Sequence, residues 1–284
     1  MEINGMKVGN DTIDIDFLPD RAKSYVVNIF KYLKAKFNEK ILSMMVFGSS
    51  LTGDLCSTSD CDLICVVNDE TSRDEIKNIR QIARKFAIQF GFFNKPQGFI
   101  ERVLNIMDSS TGMFISLFVC KKNDFINLRF SKMFNVNRFV ATILAPTNLV
   151  IGTVINRSKH IYGENLLNVI KKPKRFFLQL IKNMILNLLV STVSFLIYPF
   201  SPKATKYELE ALKWSMLSSY YYIKGTRPSM DKICYYFISK GISKDYVANF
   251  KKLRDGFHQN IKFGIATPLK IIQVHLLGLK NYPR

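Results

Sequence analysis

The chain has 284 residues, 48% of them hydrophobic, with 41 Lys and Arg against 22 Asp and Glu and a formal net charge of +19. That apolar share excludes an intrinsically disordered chain, and the length suits two domains of roughly 100–200 residues each. Five cysteines and three scattered histidines (His160, His258, His275) give no recognisable zinc spacing. The first residues lack the basic and apolar regions of a secretory leader, so a reduced protein of the cytoplasm is expected.

The charge is uneven. Residues 1–170 hold 21 basic and 17 acidic side chains, a net of +4; residues 171–284 hold 20 and 5, a net of +15. A field of that sign draws polyanions such as nucleic acid, nucleotides or an anionic membrane.

In chain order, Asp20 reads as the N-cap of a helix with Ala22, Val26, Ile29, Phe30, Leu33 and Phe37 at helical spacing. The apolar run Ile41 to Phe47, stopped by Gly48, reads as a buried strand, and Asp62 to Val67 as a second. A helix follows with Ile76, Ile79, Ile82, Ala83, Phe86 and Phe90 on its apolar face. FIERVLNIM and MFISLFVC, joined by DSSTG, predict a hairpin. Thr147 to Asn156 reads as a helix, then a short HIY strand and a turn at Gly163. Beyond Lys171 come a KKPKR linker, a strongly apolar helix and, after Pro199 and Pro202, three shorter helices. Thr205 and Glu208 match a capping box, Gly225 and Gly241 are C-terminal stops, and Ser243 is a cap. The expected fold class is α+β: a small mixed-sheet domain at 1–170 and a basic helical bundle at 171–284.

The stretch that carries chemistry is VFGSSLTGDLCSTSDCDLICVV, residues 46–67. Asp60 and Asp62 lie one residue apart at the start of a strand, where a period of two projects both carboxylates from one face. Two such carboxylates repel unless a cation lies between them, and hard oxygen donors beside phosphate suit Mg²⁺. Gly48 ends the preceding strand without a Cβ, so backbone can approach a phosphate closely, and the hydroxyls of Ser49 and Ser50 can donate to it.

These residues, in this order, resemble the DNA polymerase β-like nucleotidyltransferase superfamily, whose signature is a Gly-Ser pair followed about ten residues later by Asp-x-Asp. The IYGENLL sequence near Ile161 is similar to the strand and turn that close many such domains, and the layout resembles the antibiotic and minimal nucleotidyltransferases. The resemblance implies that Gly48, Ser49 and Ser50 hold the triphosphate of an NTP and that Asp60 and Asp62 bind Mg²⁺. It implies transfer of an NMP group to an acceptor hydroxyl, with ATP among the candidate donors. It also implies a third carboxylate on a later strand. MFISLFVC has no acid there, with Ser116 at the inner-face position, so Asp108 is preferred over Glu101, and Asp124 is expected to be exposed.

Asp11, Asp14 and Asp16 mimic a carboxylate cluster but have no phosphate-binding turn, and read as a solvated strand or tail. Residues 176–200 read as a buried bundle helix, with a membrane-docked helix as the alternative because of the basic cluster before it. Around Trp214 and Tyr220 to Tyr222 aromatics interleave with lysines, and read as core aromatics beside available cations. The basic half favours an acidic acceptor such as RNA or tRNA, or a protein hydroxyl, over a cationic drug. Two alternatives stay open: a catalytically impaired nucleotide- or RNA-binding protein of the same fold, and a membrane-peripheral protein.

Overall fold

The computed structural model describes residues 6–8, 11–51, 61–92, 116–201 and 204–282, and separates them into two compact units. The first is built on a four-stranded mixed sheet; the second is helical and includes the segment Arg138–Asn156, which precedes the charge boundary at Lys171.

In the first unit β1 (Met6–Val8) and β2 (Asp11–Ile13) form a small antiparallel hairpin, followed by α1 (Asp20–Phe37). Pro19, not Asp20, occupies the cap position of α1, so the acid falls in the first turn, where it faces the positive end of the helix dipole. The sheet contains β3 (Ile41–Phe47), β4 (Asp62–Val67), β5 (Leu117–Lys121) and β6 (Ser158–Gly163) in the order β5-β4-β3-β6. β3 runs antiparallel to both β4 and β6, and β5 is parallel to β4.

The central strands read as continuous apolar runs because both faces are covered. Met44, Val46, Leu63, Cys65, Val67, Leu117 and Val119 join one core with α1 and α2 (Arg73–Gln89). On the other face Met45, Phe47, Ile64 and Phe118 are buried, and the Phe118 ring meets those of Phe47 at 5.8 Å and Phe134 at 5.1 Å. Helix α2 carries a full capping box: Ser72 accepts from the Glu75 amide, and the Glu75 carboxylate accepts from the Ser72 amide. The predicted hairpin is described only in its second arm; its first arm and DSSTG lie outside the described residues. Short helices α3 (Lys122–Ile126) and α4 (Phe130–Met133) follow β5.

The second unit contains α5 (Arg138–Ile143), α6 (Thr147–Ile155), α7 (Phe177–Ile197), α8 (Ala204–Lys224), α9 (Met230–Ser239), α10 (Lys244–Asp255) and α11 (Ile261–Lys280). Leu209, Leu212 and Met216 of α8 share a core with Ile233, Phe237, Phe250, Phe263, Ile271 and Val274. Tyr221 and Tyr222 are buried too, so those aromatics are core, whereas Tyr235 is 75% exposed. Ser243 caps α10 as expected, accepting from the Tyr246 amide.

The predicted capping box at Thr205 and Glu208 does not form. Packing draws both residues inward: Thr205 Oγ1 accepts from the Asn260 amide, and the Glu208 carboxyl accepts from Ser191. The KKPKR segment is no free linker either. Arg175 reaches back to the last turn of α8 and donates to the Tyr222 carbonyl at 2.8 Å, where a cation suits the helix dipole. One long helix, α11, escaped the periodicity reading because Pro268 stands inside it.

Candidate functional site

The edge where β3 ends and β4 begins collects the residues that the motif picked out. Phe47, the last residue of β3, pairs directly with Asp62, the first of β4. The chain then turns through a 3₁₀ segment, Gly48–Leu51, in which Gly48 takes a φ of +83°. That conformation is open to glycine and strained for other L-residues. Space imposes a second requirement, because a Cβ on Gly48 would fall on the Asp62 carboxylate. The turn backbone and the acid therefore stand edge to edge.

Ser50 is buried in this turn and Ser49 is half-buried. Asp62 is half-buried at the sheet margin, while the next residues of β4 are wholly enclosed. Asp60, Glu101 and Asp108 lie outside the described residues.

Ser116 lies beside this edge: its carbonyl accepts from the Leu63 amide at 2.9 Å. Its hydroxyl accepts from the buried Tyr25 hydroxyl of α1 at 3.0 Å, so the serine ties helix to sheet rather than standing in for an acid. Three further acids of this unit lie at the opposite end of the sheet, past Val67, Lys121 and Gly163, and are held by other partners. Asp124, expected to be exposed, is mostly covered and pairs with Arg129 at 3.2 Å. Asp69 accepts from the Asn123 amide at 3.0 Å, and Glu164 pairs with Lys122 at 2.6 Å. The N-terminal acids form no cluster: Asp11 pairs with Lys34, Asp14 with Lys159 and Asp16 with Lys23.

The donor set suits a hard cation. Asp62, Ser49 and Ser50 offer oxygen alone, the chemistry preferred by Mg²⁺. Sulfur ligation is disfavoured, because Cys61, Cys65 and Cys120 are buried and burial pushes the Cys65 thiol up to about 12 and the Cys120 thiol upward too. Among the described residues no group of three His, Cys, Asp or Glu side chains could hold a metal, so a full ligand set needs a contribution from outside them.

Comparison with known proteins bears on the same segment. Residues 28–108 match the family model described as polymerase beta, nucleotidyltransferase. Among solved structures, the chain is similar to spectinomycin adenyltransferase AAD(9) from Enterococcus faecialis, whose structure was determined with ATP and spectinomycin. The TM-score is 0.56 at 13% identity, covering 91% of this chain and 99% of that one. No curated protein matches the sequence significantly. The likeness is one of fold, and it spans the α+β unit and the helical unit together.

Proposed function

We propose, on the match of residues 28–108 to the polymerase beta nucleotidyltransferase family model, that the chain transfers an NMP group from an NTP, with Mg²⁺, to an acceptor hydroxyl. The observation that carries the reading is the contact of Gly48 with Asp62: a positive-φ glycine turn set against a carboxylate at the end of paired strands. In this reading the backbone of Gly48 and the hydroxyls of Ser49 and Ser50 hold the triphosphate. Asp60 and Asp62 would hold Mg²⁺, which when bound neutralises charge on the phosphates. Asp108 is the residue we assign to accept the proton of the attacking hydroxyl, and pyrophosphate leaves. ATP is the donor we favour, since the similar adenyltransferase was solved with it.

The acceptor we infer is acidic, such as RNA or tRNA, or a hydroxyl on a protein. Residues 171–284 carry 20 basic and 5 acidic side chains, and Lys224, Lys232, Lys240 and Lys244 are exposed. That surface gathers polyanions and repels cationic drugs. Transfer of labelled α-phosphate from each NTP, offered total RNA, protein extract and small molecules including spectinomycin, tests the reading. Label on RNA that disappears in Asp62→Asn supports it; label on spectinomycin alone overturns the acceptor. A second reading, nucleotide binding without transfer, rests on the acid-free β5. It predicts nucleotide affinity with no labelled product.

A further inference from the structure

Helix α7 is built inside out. Its buried stripe is Leu180, Asn183, Asn187, Ser191 and Ser194, four of the five polar. Its exposed stripe is Leu178, Ile185, Leu189 and Leu196, with Phe177 and Phe195 beside them. Helix α11 repeats the outward half of that pattern: Ile261, Ile265, Leu269, Ile272 and Leu276 are exposed at spacings of three and four. Leu178 is 60% and Leu269 70% exposed, while Ser191 is fully enclosed.

The two helices are antiparallel neighbours. Asn183 donates to His275 Nε2 at 2.9 Å, and a Cβ on Gly278 would lie 3.1 Å from Leu180. A surface of this kind is not left to water without reason, since single apolar residues are ordinary there but aligned stripes mark an interface.

We propose that α7 and α11 dock this unit in the plane of an anionic lipid surface, each helix burying its exposed stripe among the acyl chains. Charge selects that occupant. Neither helix contains an Asp or Glu, and their charged residues are Lys182, Lys262, Lys270 and Lys280. Exposed Lys171, Lys172 and Lys174 lie immediately before α7, and residues 171–284 hold 20 basic against 5 acidic side chains. Such a surface attracts phosphatidylserine or phosphatidylglycerol headgroups and repels a second copy of itself.

The buried polar stripe decides the orientation. Helix α7 is long and apolar enough to cross a bilayer. Crossing would pull Asn183 from His275 and Ser191 from Glu208, leaving polar groups unpaired in hydrocarbon. Lying flat keeps those bonds and buries only the outer face. This inference does not depend on nucleotidyl transfer.

The test is cosedimentation of the full-length chain with vesicles of phosphatidylcholine, alone or mixed with phosphatidylserine. We expect binding to the mixed vesicles at least about tenfold stronger than to neutral ones. Leu189→Glu combined with Leu269→Glu should weaken it about tenfold or more with unchanged helical circular dichroism. Should that pair fail to fold, charge reversal at exposed Lys171, Lys172 and Lys174 is the second variant, with the same loss expected. Alkaline carbonate should release the bound protein; retention in the membrane would overturn the in-plane orientation. Equal binding by wild type and variants, or none to anionic vesicles, overturns the proposal. So does a dimer in sedimentation velocity that the leucine variants dissociate, because a second copy would then cover the stripes.

Discussion

Helix α1 of the sheet unit turns Tyr25, Val26, Ile29, Phe30 and Leu33 inward and keeps Lys31 and Lys36 outside. Helix α7 of the helical unit does the reverse, enclosing two asparagines and two serines and exposing leucines and phenylalanines. Burial of about 25 cal/mol per Å² of apolar surface drives the first arrangement. The second forgoes that gain on its outer face and must satisfy polar groups within. One acid differs in the same sense, although Glu210 and Asp231 of the helical unit pair with lysines as the sheet-unit acids do. In the sheet unit Asp11, Asp14 and Asp16 each meet a lysine at the surface; in the helical unit Glu208 is 1% exposed and meets a serine. The sheet unit turns its apolar faces inward, and Gly48 is one of several positive-φ positions within it. The helical unit has an interior and an exterior that both call for a partner other than water.

The sharpest way to break this division of roles is at the turn. Asp62→Asn should lower nucleotidyl transfer by about 10²–10³-fold, the range seen when a group facing transition-state charge is removed. Its melting temperature should stay close to wild type, because Asp62 is only half-buried. Full activity in this variant would move the chemistry away from the β3–β4 edge. Gly48→Ala should be second in size. It places an L-residue at a φ of +83° and a Cβ on the Asp62 carboxylate. The strain is worth about 1–2 kcal/mol, and displacement of the acid should cost transfer about tenfold or more. A structure-neutral, fully active alanine variant would show that the close approach is incidental.

How much of this was readable from sequence follows from where the determinants lie. The strands at Ile41–Phe47 and Asp62–Val67, the Gly48 turn and the helix faces of α1 and α2 are set by local patterns, and they are found where the patterns put them. The carrying fact of the site, Gly48 against Asp62, was implied by the motif but depends on a strand register that no single residue announces. Ser116 was weighed as an occupant of a missing acid's place, whereas its partner is Tyr25, 91 residues away. Thr205 and Glu208 satisfied a local rule that tertiary packing overrode. Helix α7 was read as a buried bundle helix because composition cannot say which face turns inward. Its polar stripe at positions 183, 187, 191 and 194 was the signal that could have revealed it.

The buried acid sharpens the contrast through pH. Desolvation raises the Glu208 carboxyl from its ordinary 4.5 to about 8, against the opposing hydrogen bond from Ser191. The folded state thus keeps a proton that the unfolded chain releases, and stability falls as pH rises from 4.5 toward 8. His275 acts oppositely: burial lowers it from 6.5 to about 4, so its contribution grows as pH rises to 6.5. The two slopes offset one another below pH 6.5. Between 6.5 and 8 the Glu208 slope is no longer offset by His275, a loss on the order of 2 kcal/mol at 1.36 kcal/mol per unit. Urea titrations of Glu208→Gln should be flat across that window, and a wild-type curve that is also flat there rules the mechanism out.

Two smaller effects complete the comparison. Ser72→Ala removes the side-chain acceptor from the capping box of α2 and should cost about 1 kcal/mol, read as a lower urea midpoint at unchanged slope. Leu189→Gln should change stability in water by no more than about 0.5 kcal/mol, although a buried leucine truncated in the core of the sheet unit would cost several times that. Leu189 is 47% exposed, so it contributes little transfer energy to folding in solution. A large loss would mean that the leucine side of α7 holds the folded unit together and is no free surface. Unchanged stability leaves these leucines without a role in the fold, and the reason for their alignment has to be sought outside it.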